Sequence, residues 1–436
     1  IPAVILGRSQ AGLIFVIDGS HRLSSLIAWV NDDYGDGQFS LEAFDGEIPD
    51  EQRQIARKAR ETINSQIGPY SDYYKALVAK HPDPDIIVKA RNLASRALQI
   101  QWIDGDVDTA ERSFFNINQQ ATPIDPTELK LLQKRKNPNC IAARSIMRAG
   151  KGHKYWHNFS QEIQESIETL ASSINRLLFD PIIQRPIKTL DLPICDRNNN
   201  ILTLVYEFVS FVNNDTKEED DLTGEATIRS LKRTERMVQL FSSVAPCSYG
   251  LHPLLYCYSN KGNFRPASFY GAIEFIRTLD TNPAILKSFI EQRKNFEDFI
   301  FENDIAVQRI IDTYRRGLQS ARHISDYYVC VLNLFASGKT SVEVQESILA
   351  NPKYQRLKLT FSPELEVTTG AFNSGNKSEV YIQEAYKKAP RCAICGGLLH
   401  THSISIDHIQ RKRDGGLGCV ENGQLTHPYC NTGVKN

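Results

Sequence analysis

Apolar positions along this chain follow two rhythms, one near each strand-like stretch and one through a long helical middle. PAVILG (residues 2–7) and LIFVID (13–18) are short apolar runs split by RSQAG, so they predict two strands joined by a turn. After Gly19 the period changes: Leu23, Leu26, Ile27 and Val30 fall on one face of a predicted helix. EQRQIARKARETINSQI (51–67) is charged and helical in spacing, and RALQIQWIDG (96–105) alternates like a third strand. DTAERSFFNINQQ (108–120) predicts a further helix with Asp108 or Thr109 as its N-cap.

Helical spacing then dominates. It is clearest in 161–179, 225–244, 268–279 and 305–336. NNDTKEEDD (213–221) reads as a solvated acidic loop, and PELEVTTGAFNSGNKSE (363–379) as a linker poor in large apolar side chains. The expected architecture is α+β and multidomain: a mixed α/β domain over 1–135, a mostly helical domain over 136–372, and a small module over 373–436. A length of 436 residues is itself too great for one compact core.

Composition adds little to this picture until its distribution is considered. Lys+Arg and Asp+Glu both total 51, so a nucleic-acid partner would have to be met by a local basic patch. No apolar run is long enough for a bilayer and no leader pattern is present, which predicts no membrane partner. The first residue is Ile1, and a preceding piece is expected. Of nine cysteines, Cys392, Cys395, Cys419 and Cys430 crowd near the end, with His400, His402, His408 and His427. An odd count with one cluster fits a reducing, cytoplasmic setting and a metal site rather than a disulfide framework.

The spacing within that cluster is specific. Cys392-x-x-Cys395 and His427-x-x-Cys430 are two chelating pairs, as a tetrahedral structural Zn²⁺ requires. A segment this small has little core of its own, and a metal would offset that. Cys419 has no partner at such spacing and reads as a small buried residue or a bystander; His400 and His402 read as solvent-facing hairpin residues.

Between the two pairs stand SISIDHI, RKRDGG and ENGQL, and after them Cys430-Asn431 and a lysine. This order, from Cys392 to Lys435, resembles the HNH nuclease family with its ββα-metal fold; His427 departs from it, since many zinc-containing members carry cysteine there, yet it remains a zinc ligand. The resemblance implies that His408 is the general base, that Asp407 and Asn431 hold a catalytic Mg²⁺ or Mn²⁺, and that Asn422 supports the loop carrying His408. An imidazole suits the first role because it titrates near neutral pH. Arg411, Lys412 and Arg413 stand beside these residues and suit DNA backbone phosphates.

Near the start, VIDGSHRLSSLIAW ends an apolar strand at Asp18-Gly19 and opens a helix carrying His21 and Arg22. Glycine permits a sharp turn, and a helix N-terminus with an arginine suits a phosphate. An ordinary strand–turn–helix explains the stretch equally well. With residues 105–129, this stretch resembles the ParB/sulfiredoxin-like superfamily, in the branch marked by Asp-Gly-Gln-(His or Gln)-Arg. Ser20 replaces the glutamine, which puts hydrolysis in doubt. The resemblance implies an α/β fold in which Asp18, Gly19, His21 and Arg22 contact a nucleotide, with a nucleoside triphosphate as candidate ligand.

Together these features predict a metal-dependent HNH DNA endonuclease of bacterial defence or restriction, its cut controlled by the N-terminal domain. DNA, modified or foreign, is the expected partner, with a partner protein or a second copy as a further possibility. The alternative is a nucleotide-hydrolysing or DNA-binding regulator whose HNH module docks on DNA without cutting.

Overall fold

The computed structural model describes residues 4–8, 14–43, 48, 50–104, 126–151, 154–197, 201–213, 219–314, 317–357 and 372–434. Its architecture is α+β and mostly helical, with two small sheets. Two compact units emerge: Ile1–Gln133 with Lys151–Lys154, and Lys134–Gly150 with Tyr155–Asn436. The second unit contains both the helical middle and the C-terminal segment. Among the described residues no helix is long and apolar enough to cross a membrane.

The first unit holds a three-stranded sheet of order β2-β1-β3. Strand β1 (Val4–Arg8) pairs antiparallel with β2 (Ile14–Asp18) and parallel with β3 (Ile100–Asp104). Helix Ser20–Asn31 follows β2 directly. Its apolar face is not packed as the spacing predicts: no residue of this helix is buried, and Ile27 and Val30 are exposed. Trp29 anchors it instead. The indole N–H donates to the Gly68 carbonyl at 2.9 Å, and the ring meets Tyr70 and Tyr73 edge-on. The predicted helix over 108–120 lies outside the described residues, as does most of the second stretch that resembles the ParB-like branch.

In the second unit the apolar periodicities become packed helices. Gln161–Phe179, Glu225–Phe241 and Pro266–Thr281 coincide with predicted segments. The long stretch 305–336 breaks into Asp304–Thr313, a 3₁₀ turn and Ala321–Ala336. Their core includes Phe275, Phe289, Phe296 and Tyr328, whose rings meet mostly edge-to-face. Asp221, at the end of the predicted acidic loop, is buried rather than solvated. It accepts the backbone N–H groups of Gly224 and Thr227, satisfying orphan donors at the start of helix Glu225–Phe241.

The expected linker also differs from prediction at its C-terminal end, because helix Ser374–Lys388 begins inside it. This helix is bound to the helical body. Ile382 is fully buried, Tyr386 stacks on Phe301 at 3.8 Å, and Ser378 accepts the Ile187 N–H at 3.0 Å. A buried stripe on one face is what allows so polar a sequence to hold a helix.

Candidate metal centre and adjoining hairpin

Two backbone turns build the metal centre. In the first, the Cys392 N–H donates to the Gly397 carbonyl and the Gly396 N–H to the Cys392 carbonyl, both at 2.8 Å. In the second, the Asn431 N–H donates to the His427 carbonyl at 3.0 Å, which puts His427 and Cys430 on one side of a helical turn. The ligand atoms of Cys392, Cys395, His427 and Cys430 all lie within 4.8 Å of one another, and all four residues are buried.

The electrostatics of this cluster call for a cation. Hydrogen bonds from Cys395 and then Cys430 hold the Cys392 thiol well below the ordinary range. The same crowding pushes Cys395 up to about 11 and Cys430 higher still. Three neighbouring sulfurs cannot all ionise unless a positive ion joins them. The His427 Nε2 lies 3.1 Å from the Leu398 carbonyl, which favours a proton on Nε2 and leaves Nδ1 for a metal. Nδ1 is the nitrogen that faces Cys395, at 3.3 Å from its sulfur. A Cys₃His donor set suits a borderline-soft dication.

Beside the centre, β4 (Ser405–His408) pairs antiparallel with β5 (Gly423–Thr426), and Asp407 lies opposite Gln424. Successive strand residues face opposite sides. Ile406 and His408 therefore share one face, and Ser405 and Asp407 the other. Asp407 is buried and accepts the Gln424 amide N–H at 2.8 Å. Asn431 reaches back to the Ser405 side of the strand, where its Nδ2 donates to the Ser405 hydroxyl at 2.7 Å and, more weakly, to the Ile406 carbonyl. With its nitrogen so anchored, its amide oxygen is the atom left for a ligand. A carboxylate and an amide oxygen are hard donors of the kind Mg²⁺ or Mn²⁺ takes.

Asn422 ties together the loop after β4. Its Oδ1 accepts the Gln410 N–H at 2.7 Å, and its Nδ2 donates to the carbonyls of Gln410 and Leu417. Its own carbonyl accepts the Ile409 N–H. Gly416 is required by close approach, since a Cβ there would fall 1.9 Å from the Gln410 carbonyl oxygen. The loop brings Gly418 to the tip of the His408 ring. Arg411 is partly buried in this loop, while Lys412 and Arg413 are exposed on a 3₁₀ turn. Cys419 is exposed rather than buried and stands apart from the metal cluster.

No family model, no curated protein and no solved structure matches this chain.

The N-terminal candidates lie in the other unit. Asp18 ends β2, and Gly19, with φ of 93°, turns the chain into the helix bearing His21 and Arg22. Arg22 is turned back onto Asp18, its Nη2 2.6 Å from Oδ2, with both side chains about one-third exposed. His21 is exposed. The arginine is thus pre-positioned at the helix start by a carboxylate, which a phosphate would have to share or displace.

His400 corrects the sequence expectation. It is not solvent-facing but 1% exposed, because Asp191 and His252 of the helical body cover this part of the C-terminal segment. The His252 ring meets it edge-on at 5.2 Å, and the Asp191 carboxylate lies 3.9 Å from its Nε2. Burial pushes its pKa down to about 4, and Asp191 only partly opposes this. The unfolded chain therefore binds a proton here that the folded one refuses. The stabilisation is present above pH 6.5 and is lost as pH falls from about 6.5 to about 4, by roughly 3 kcal/mol. Urea unfolding of wild type and His400→Gln at pH 7 and pH 4.5 checks this: wild type should lose more stability than the variant over that interval.

His252 follows the same logic. It is fully buried and held well below its ordinary range by desolvation. Nothing in the spacing of residues 398–404 signals this burial, since the covering residues come from distant parts of the chain.

Proposed function

We propose that the chain is a metal-dependent endonuclease of the HNH type, with Cys392, Cys395, His427 and Cys430 holding a structural zinc ion. What supports this reading is that Asp407 and His408 end strand β4, Asn422 ties the loop that follows it, and Asn431 on the turn after β5 hydrogen-bonds back to β4, all beside the Cys₃His cluster. A structural zinc clip alone gives no reason for a buried carboxylate and an anchored amide to share one side of the strand that ends in this imidazole.

In this mechanism His408 takes a proton from a water whose oxygen attacks the phosphorus of a phosphodiester. The new P–O bond forms as the bond to the leaving sugar oxygen breaks, and that oxygen is then protonated from solvent. Asp407 and Asn431 would hold the divalent cation, which when bound neutralises charge on the phosphate and leaving oxygen. Asn422 keeps the loop closed around His408, so the base does not need to be ordered at the moment of reaction. Arg411, Lys412 and Arg413 bind the DNA backbone without reading sequence.

The N-terminal unit serves as the control element, with Asp18, Gly19, His21 and Arg22 receiving a nucleotide or a phosphate of modified DNA. A role in restriction or phage defence is what the resemblance of the two modules implies. Supercoiled plasmid supplied with Mg²⁺ or Mn²⁺ should be nicked or linearised, with and without each nucleoside triphosphate. An intact plasmid under every one of these conditions, together with nucleotide turnover that depends on Arg22, would favour the non-cutting regulator instead.

A further inference from the structure

Helix Pro283–Glu302 carries an ion pair that belongs to no part of the site described so far. Arg293 and Glu297 are 2% and 0% exposed, with the Arg293 Nε 2.7 Å from Glu297 Oε1. Spaced one helical turn apart, such a pair usually lies on a solvated face. Here it is sealed under the metal centre. The Arg293 Nη1 and Nη2 donate to the carbonyls of Tyr249 and Gly250, each at 2.6 Å. Nη1 also stands 3.3 Å from the His427 Nδ1.

Glu297 reaches the centre by another route. Its Oε2 accepts the Leu398 N–H at 2.7 Å, and the Leu398 carbonyl is the group that faces the His427 Nε2. The carboxylate also accepts the Tyr256 hydroxyl at 3.2 Å. The fit around His427 is close. Gly250 has a positive φ, and a Cβ there would lie 2.2 Å from the His427 ring.

We propose that Arg293 and Glu297 are positioning residues that complete the metal centre from the helical body. Glu297 fixes Leu398 and thereby the His427 tautomer. Arg293 offsets the net negative charge that three thiolates and one imidazole leave around a dication. A buried excess charge is costly unless a partner meets it, and outer contacts of this kind tune metal affinity. Metal loading and docking of the C-terminal segment on helix Pro283–Glu302 are then one coupled event. This rests on the zinc reading of the Cys₃His cluster.

The test uses the full chain, with zinc affinity measured by chelator competition and Co²⁺ as a spectroscopic probe. The double variant Arg293→Met/Glu297→Met removes both charges together and leaves neither unpaired. It should keep wild-type helical content but bind zinc about 10- to 100-fold more weakly, with shifted Co²⁺ ligand-field bands. Arg293→Lys, which keeps the charge without the fork, should recover part of the affinity. A double variant that binds zinc as tightly as wild type, with unchanged cobalt bands, overturns the proposal. So does loss of helical content in both variants, because the pair would then serve the helical core alone. Absence of a thiolate-to-cobalt band in wild type would instead overturn the zinc reading itself.

Discussion

Replacing His408 with alanine is expected to lower metal-dependent plasmid cleavage by about 100- to 10,000-fold, the range a general base contributes. Little change in stability should accompany the loss. His408 ends β4, is only partly buried, and shares its face with Ile406, which is itself 63% exposed. Truncation there opens no cavity in the main core. The loop geometry should survive as well, since it depends on Asn422 and Gly416 rather than on the imidazole. The measurement is the initial nicking rate of wild type and His408→Ala at saturating Mg²⁺ or Mn²⁺, beside their thermal unfolding midpoints. An unaffected rate removes His408 from the mechanism, and a rate lost together with the fold leaves the base role without support.

Stripping the metal should release the C-terminal segment while the helical body stays folded. The two regions differ sharply in what holds them. The helical body has an extensive apolar core from Ile141 to Tyr386, to which the C-terminal segment adds Leu398. Around the metal centre the buried apolar set is Cys392, Cys395, Leu399 and Cys430, with Ile290, Ile394 and Ile404 packed beside it. Three of the four buried members are candidate ligands, so without an ion crowded thiols stand where a core should be. A structural zinc of this type supplies about 10–16 kcal/mol of apparent binding free energy, more than so small a cluster can replace. Hydrogen exchange with and without a strong chelator is the direct measurement. Amides of 392–431 should lose protection, while those of helices Pro266–Thr281 and Ala321–Ala336 keep it. Equal protection in both states would show that the segment folds without metal. Cleavage should vanish with that protection, because β4 and β5 position Asp407 and His408 only while the hairpin persists.

What could be read from the sequence was what depends on near neighbours. The pairs Cys392-x-x-Cys395 and His427-x-x-Cys430 announce a metal turn because two residues is the spacing at which one turn points two ligands at one ion. SISIDHI alternates, and β4 forms there. Helices Gln161–Phe179, Glu225–Phe241 and Pro266–Thr281 show their buried stripes as periodicity, because each packs along one face.

Tertiary structure decided what depends on distant partners. Arg293 and Glu297 look like an ordinary exposed pair along the chain, yet they are buried because the turn at 392–398 folds over their helix. His400 is buried for a similar reason, by Asp191 and His252. The apolar face of helix Ser20–Asn31 has the right spacing, but no residue of that helix is buried. Periodicity states which face of an element is apolar; only the fold states what, if anything, covers it. The same distinction explains the candidate metal centre: its four candidate ligands were set by local spacing, while the arginine and carboxylate beside it were brought in by packing.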